Sequence, residues 1–338
     1  MEQEVKQETG TGKGAGGKQA DGKAHSGEGI VKAICISDVR GIEKHSIPEA
    51  HFLVDFGIEG DAHAGHWHRQ VSLLSYDKVL AFNERGANVD DGAFGENLVV
   101  EGIDFRALPV GTRLYAGTVQ LEMTQIGKEC HSHCTIYQRM GECIMPREGV
   151  FAKVVKEGII RPGDKMRVEE PAADRPFTAA VITLSDKGAK GERKDESGPA
   201  AAQMLTEAGY DVVETLILPD EPSLLKVQLI RLADSRQVDL VLTSGGTGFS
   251  MRDQTPEATM AVADRNAPGI AEAIRYKSMQ VTDRAMLSRG ASVIRKKTLI
   301  VNLPGSPKAV KESLGFILDS LDHGLKILRG SASECARR

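Results

Sequence analysis

Between Thr178 and about residue 330, short apolar runs alternate with segments of helical periodicity, and this alternation restricts the fold more than any other feature of the chain. The runs "TAAVITLSD", "YDVVETLILPD", "VDLVLTSGG" and "KKTLIVNLPGSP" read as strands. Between and after them "ESGPAAAQMLTEAG", "EPSLLKVQLIRLADS", "TPEATMAVADR", "PGIAEAIRYKSMQ" and the remainder read as helices. Ser197, followed by Pro199, is the expected cap of the first helix, and Thr255 with Pro256 the cap and first turn of a later one. Strands that alternate with helices predict parallel crossovers and an open, mostly parallel α/β sheet with flanking helices.

The first half has a different texture. From Gly29 to about Glu170, "GIVKAICIS", "RQVSLLS", "GENLVVEG", "GTRLYAG" and "TVQLEMTQIG" are glycine-punctuated β runs, and "SYDKVLAFNERG" is the one helical signal among them. A β-rich barrel or sandwich is expected. "EEPAADRPF" turns to Pro, Ala and charge and marks a linker. The glycine-rich opening, residues 1–28, offers almost nothing to bury and is expected to be a flexible tail. The expected division is therefore a tail over 1–28, a β-rich domain over 29–170, a linker over 171–177 and an α/β domain over 178–332. A formal net charge of −4 provides no basic field for nucleic acid. No apolar run approaches the ~20 residues a membrane span needs. Five cysteines are too few for a disulfide scaffold, and the first residues lack an apolar leader, so a cytoplasmic setting is expected.

Ligands of open α/β sheets bind beyond the carboxyl ends of the strands. Two glycine-rich loops fall there, after Leu242 and after Val301. Gly245, Gly246 and Gly248 let backbone amides approach an anion without a Cβ in the way, and Thr243, Ser244 and Thr247 add hydroxyls. Asp253, with Asp220 at the end of another strand, supplies carboxylates suited to Mg²⁺ on phosphates. Arg252 and the run Arg295, Lys296, Lys297 add cations, although such a run before a buried strand equally forms a solvated face. Neither the P-loop nor the dinucleotide fingerprint is present.

"TSGGTG…RDQTPEAT", preceded by "ITLSDKGAKGERKDESGP" and "LPDE" and followed by "AMLSRG" and "NLPGSPKAV", resembles the MogA/MoaB family of molybdopterin-binding proteins over about residues 177–330. The resemblance implies a molybdopterin adenylyltransferase that activates the pterin phosphate with Mg-ATP and releases pyrophosphate. By motif it assigns Asp220 and Asp253 to catalysis and to Mg²⁺, and Ser288 to handling the adenylylated product. It gives the cradle for pterin and phosphate to Ser185 and Asp186, to Thr243 through Gly248, and to Asn302, Pro304, Gly305 and Ser306. It also implies a homotrimer.

In the first half "CHSHC" sets Cys130, His131, His133 and Cys134 close together, with Cys143 following and a second cluster at His63, His66 and His68. Zinc is one reading, though the spacing is not that of paired C-x₂-C ligands. A reactive or cofactor-ligating thiolate, its pKa lowered by Lys128, His131 and His133, is a second; inert buried cysteines are a third. The motifs GD-x-HAG, RQVSLL, G-x-FGENL and the terminal "IRPGD" resemble a MOSC domain over about residues 29–168. That resemblance implies molybdenum-cofactor binding or sulfur transfer, with Cys130 the best-placed thiol and His63 and Arg69 in the characteristic loop. Other molybdenum-cofactor enzymes are then expected partners. Two rival functions stand beside this one: a protein that binds and delivers pterin without turnover, and a nucleotide-binding regulator with a zinc-structured partner module.

Overall fold

The computed structural model describes residues 27–128 and 134–330. Seven strands of the first half close on themselves. Starting from Glu28–Ile36, the order around the barrel is Lys165–Glu169, Arg113–Ala116, Val119–Ile126, Val150–Lys156, Val71–Ser75 and Leu98–Glu101, which pairs back onto the first strand. Every neighbouring pair is antiparallel except Val71–Ser75 with Leu98–Glu101. Closure removes free strand edges, and inward side chains including Val31, Leu73, Leu98, Leu121, Met123 and Met166 fill the interior. The helix read from "SYDKVLAFNERG" spans Tyr76–Glu84.

The second half is a six-stranded sheet in the order Asp211–Leu218, Thr178–Leu184, Leu240–Ser244, Thr298–Leu303, Ser292–Arg295, Arg265–Asn266. The first four strands are parallel, and the last two, an edge that the sequence reading did not anticipate, are antiparallel. Side chains alternate between faces as strand geometry requires. Ala179, Val181 and Leu242 meet the Ser197–Glu207 and Pro307–Arg329 helices, whereas Ala180, Ile182 and Val241 meet Pro222–Ile230. The chain steps from Thr178–Leu184 to one side for its second strand and to the other side for its third. That reversal opens a crevice between the carboxyl ends of Thr178–Leu184 and Leu240–Ser244, the place where such sheets bind ligands.

The segment between the two halves is pinned to the sheet. Arg329, in the last turn of the long helix, donates to the carbonyls of Ala173, Arg175 and Pro176 and to Asp239. Its guanidinium also lies 4.1 Å from the Phe177 ring centre. Val110 of the barrel side donates its amide to Gln237 Oε1 at 3.0 Å. No helix among the described residues is long and apolar enough to cross a membrane.

Candidate active site

A cavity of about 600 Å³ occupies the crevice. Ser185, Asp220, Gly245, Gly246, Asp253, Gly305 and Ser306, all named from the sequence, line it. Gly245 and Gly246 adopt φ of +104° and +63°, where a side chain is strained. A Cβ on Gly245 would lie 2.5 Å from the Leu184 carbonyl, and one on Gly246 would lie 2.3 Å from Thr255 Oγ1. The loop is therefore glycine because its own neighbours leave no room, and the same bareness exposes main chain to the crevice. The Gly245 amide is taken by the Leu303 carbonyl. The amide of Gly246 meets no acceptor among the described residues. Gly246→Ala is expected to cost about 1–3 kcal/mol of stability from backbone strain and contact with Thr255, read as a lowered midpoint of urea unfolding.

The acids are tied to one another. Asp186 and Asp220 each accept the other's backbone amide, at 3.0 and 3.1 Å. Arg252 holds Asp186 through one guanidinium nitrogen at 2.7 and 2.8 Å and reaches Glu221 at 3.1 Å. The Asp186 carboxyl is thereby held below the usual range, chiefly by its hydrogen bonds from Arg252. Burial, and then the negative charges of Asp186 and Asp253, push the Asp220 carboxyl up. Asp253 Oδ2 accepts the Ser250 amide at 3.0 Å and closes the turn below Gly248.

Other residues named from the sequence brace the site without lining it. Asn302 Nδ2 donates to Thr243 Oγ1 at 2.8 Å and to Thr259 Oγ1 at 2.9 Å, while its Oδ1 accepts the Ala291 amide. Ser244 donates to the Pro304 carbonyl at 3.0 Å. These polar groups are buried and engaged with each other, so they fix the two loops rather than face the cavity. Asp186, Thr247, Gly248, Pro304 and Ser288 also lie outside the cavity lining. The Ser288 hydroxyl accepts the Gly290 amide at 3.3 Å. Arg295 pairs with Asp234, and Lys296 and Lys297 line a different cavity at the junction of the two halves, so this basic run is remote from the glycine loops.

Several cavity residues escaped the sequence reading. Asp195 Oδ1 accepts the amides of Ser197 and Gly198, and its Oδ2 accepts from Thr183 Oγ1. Ser197 is thus the first helical residue rather than the cap, and its hydroxyl instead donates to the Gly305 carbonyl at 2.8 Å. Thr255 is likewise the first residue of its helix, after Gln254. Arg193 and Lys194, exposed on the preceding loop, add positive charge to the rim. Arg289 donates to the carbonyls of Gly248 and Asp253 and pairs with Glu257, clamping the glycine loop from behind.

In the barrel, the GD-x-HAG and G-x-FGENL motifs converge on a buried ion pair. Lys44 Nζ lies 2.8 and 2.7 Å from the two Asp61 oxygens, with both side chains almost fully enclosed. Asn97 Nδ2 donates to Asp61 and to the Cys35 carbonyl, and Glu96 accepts the amides of Gly92 and Phe94. Burial alone would raise the Asp61 carboxyl, but the His63 ring 3.8 Å away and the hydrogen bonds from Lys44 and Asn97 hold it far below the usual range. Burial depresses the Lys44 ammonium, so the pair as a whole gains less than the acid's shift implies. Arg69 stacks over Trp67 and Phe151, at 4.7 and 5.6 Å from the ring centres. His66 turns toward Asp55 at 3.5 Å and His68 bonds Gln125 at 2.9 Å, so the second histidine cluster does not converge. Among the described residues no three His, Cys, Asp or Glu side chains gather to hold a metal. Cys35 is buried, which pushes its thiol up to about 11. Cys143 packs against the Phe82 and Phe94 cluster, and Cys134 is exposed. Cys130, His131 and His133 lie outside the described residues.

Residues 180–323 match the family described as "Probable molybdopterin binding domain", and residues 60–167 match the MOSC domain. The molybdopterin adenylyltransferase of Escherichia coli (strain K12) is 43% identical over 142 residues, which cover 41% of this chain and 73% of that protein. The chain belongs to the molybdopterin adenylyltransferase family. Its N-terminal half adds a MOSC domain to that family's α/β domain. The Helicobacter pylori (strain ATCC 700392 / 26695) molybdopterin adenylyltransferase is 39% identical over 153 residues, or 45% of this chain and 87% of that one. Among solved structures, the molybdopterin biosynthesis enzyme MoaB from Thermus thermophilus is 44% identical, with 46% of this chain and 97% of that chain covered and a TM-score of 0.44.

Proposed function

We propose that this chain adenylylates molybdopterin with Mg-ATP, forming adenylyl-molybdopterin and pyrophosphate. The placement of Asp220 and Asp253 with the bare Gly245–Gly246 main chain around one cavity, at the sheet's switch point, carries this reading. A phosphate oxygen of the pterin attacks the α-phosphorus of ATP, the new P–O bond forms, and the bond to pyrophosphate breaks. Such a transfer asks the protein mainly to align two polyanions and spread their charge. The Gly246 amide would hold the attacking phosphate, Arg193 and Lys194 would offset the charge of the triphosphate, and Asp195 would keep the Ser197 turn in place against Gly305.

Asp220 and Asp253 fit a divalent cation. Burial, and then the charges of Asp186 and Asp253, raise the Asp220 carboxyl, and a bound cation would favour its charged form. With no cluster of three ligands among the described residues, the ion would rest on one or two carboxylates and on substrate phosphates, the usual habit of Mg²⁺. When bound, it would neutralise charge on the departing pyrophosphate. Purified chain is expected to release pyrophosphate when given molybdopterin, ATP and Mg²⁺. Stoichiometric pterin binding with no pyrophosphate would replace this reading with delivery alone.

For the barrel we propose binding of the molybdenum cofactor or presentation of sulfur, with Cys130 as the thiol. Phe249, Met251, Met286 and Leu287, all exposed beside the clamp made by Arg289, form the surface we assign to a homotrimer.

A further inference from the structure

The junction between the halves contains a feature that adenylyl transfer does not use. After the Pro222–Ile230 helix the chain makes a π-type turn over Arg231–Ser235, a deviation that often marks a functional position. This turn faces the barrel strand Val119–Ile126 and delivers Arg236 into the interface. Arg236 is only 5% exposed, and its Nε and Nη1 have no hydrogen-bond partner among the described residues. Its nearest carboxylate, Glu214, is 3.7 Å away and already grips Arg231 with both oxygens. Arg231 and Arg69 further crowd it with like charge. A buried guanidinium without acceptors is costly unless something accepts from it.

Arg236 faces a cavity of about 280 Å³ between the halves, whose walls include Trp67, His68, Lys153, Arg175 and Asp211. Lys153 is engaged by Glu122 and Arg175 by Asp239, which leaves the Arg236 donors and the exposed Asp211 as the unmatched polar groups among these. We propose that this interdomain cavity is a second anion site, in which a tetrahedral oxyanion, free or as the end of a phosphomonoester, accepts from Arg236. Both halves build the walls, so occupancy also ties barrel to sheet.

Trp67 is the only tryptophan of the chain and lines this cavity, not the glycine-loop cavity, so its fluorescence reports the site selectively. Titration of the intact chain with inorganic phosphate, against chloride at matched ionic strength, is expected to change Trp67 emission saturably. Arg236→Met should weaken the apparent affinity at least tenfold while leaving pyrophosphate release at the other site unchanged. Arg236→Lys, which keeps charge but loses the planar donors, should weaken it as well, and it serves if the Met variant misfolds. A parallel titration with AMP separates the two sources: saturation by phosphate alone indicates the free ion, and saturation by AMP indicates a phosphomonoester. No saturable change with either anion, or an equal response in both variants, overturns the proposal whether or not the chain adenylylates pterin.

Discussion

Asp253→Ala is expected to lower the turnover of adenylyl transfer by about 10²–10³-fold, the loss typical when one element of transition-state charge stabilisation is removed. Two roles are superimposed on this carboxylate. It accepts the Ser250 amide and so shapes the glycine loop, and it faces the cavity beside Asp220. Asp253→Asn separates them, because a carboxamide oxygen can still accept from Ser250 but carries no charge for a cation. If charge matters, the Asn variant falls as far as the Ala variant in kcat while pterin affinity stays within a few-fold. Near-normal turnover in Asp253→Asn would remove the metal role and leave Asp253 as a loop brace.

Asp61→Asn should destabilise the barrel by about 3–5 kcal/mol, because it leaves the Lys44 ammonium enclosed without its counter-charge. Lys44→Met should cost a similar amount. The double variant Lys44→Met/Asp61→Leu should cost clearly less than the sum, since it removes both charges together. Guanidinium unfolding followed by circular dichroism measures all three. A loss below about 1 kcal/mol in Asp61→Asn would contradict the enclosure described for this pair. The acid dependence follows from the shift. The folded carboxyl sits below its unfolded value of about 3.9, so its stabilisation is complete at pH values above that range and drains away as the solution is acidified toward the folded value.

What was legible in the sequence was local. Gly245 and Gly246 announce bare main chain, Asp220 follows its strand with an acid, Asp253 lies in the loop that leads into the next helix, and the alternation of strand and helix indicates where those strand ends gather. What escaped depends on contacts distant in the chain. Thr243 and Asn302 look like ligand donors in isolation, yet they lie side by side on adjacent strands and consume each other's hydrogen-bonding capacity. Arg289 reads as an ordinary surface cation until the fold sets it against the carbonyls of Gly248 and Asp253. Lys44 carries no local sign that it will be enclosed, because its partner is 17 residues away and the loop between them decides the outcome. The strands Val150–Lys156 and Lys165–Glu169 lay inside a stretch read for its cysteines, so although a barrel was expected, these two of its staves went unread.

Arg329 holds the linker at three carbonyls and also binds Asp239 of the sheet, so that part of the linker is fixed to the α/β domain. Pinning at residues 173–176 leaves only the few residues before Ala173 as free peptide between barrel and sheet. The reach of any motion between the two is then set by that short stretch and not by the whole run rich in proline and alanine.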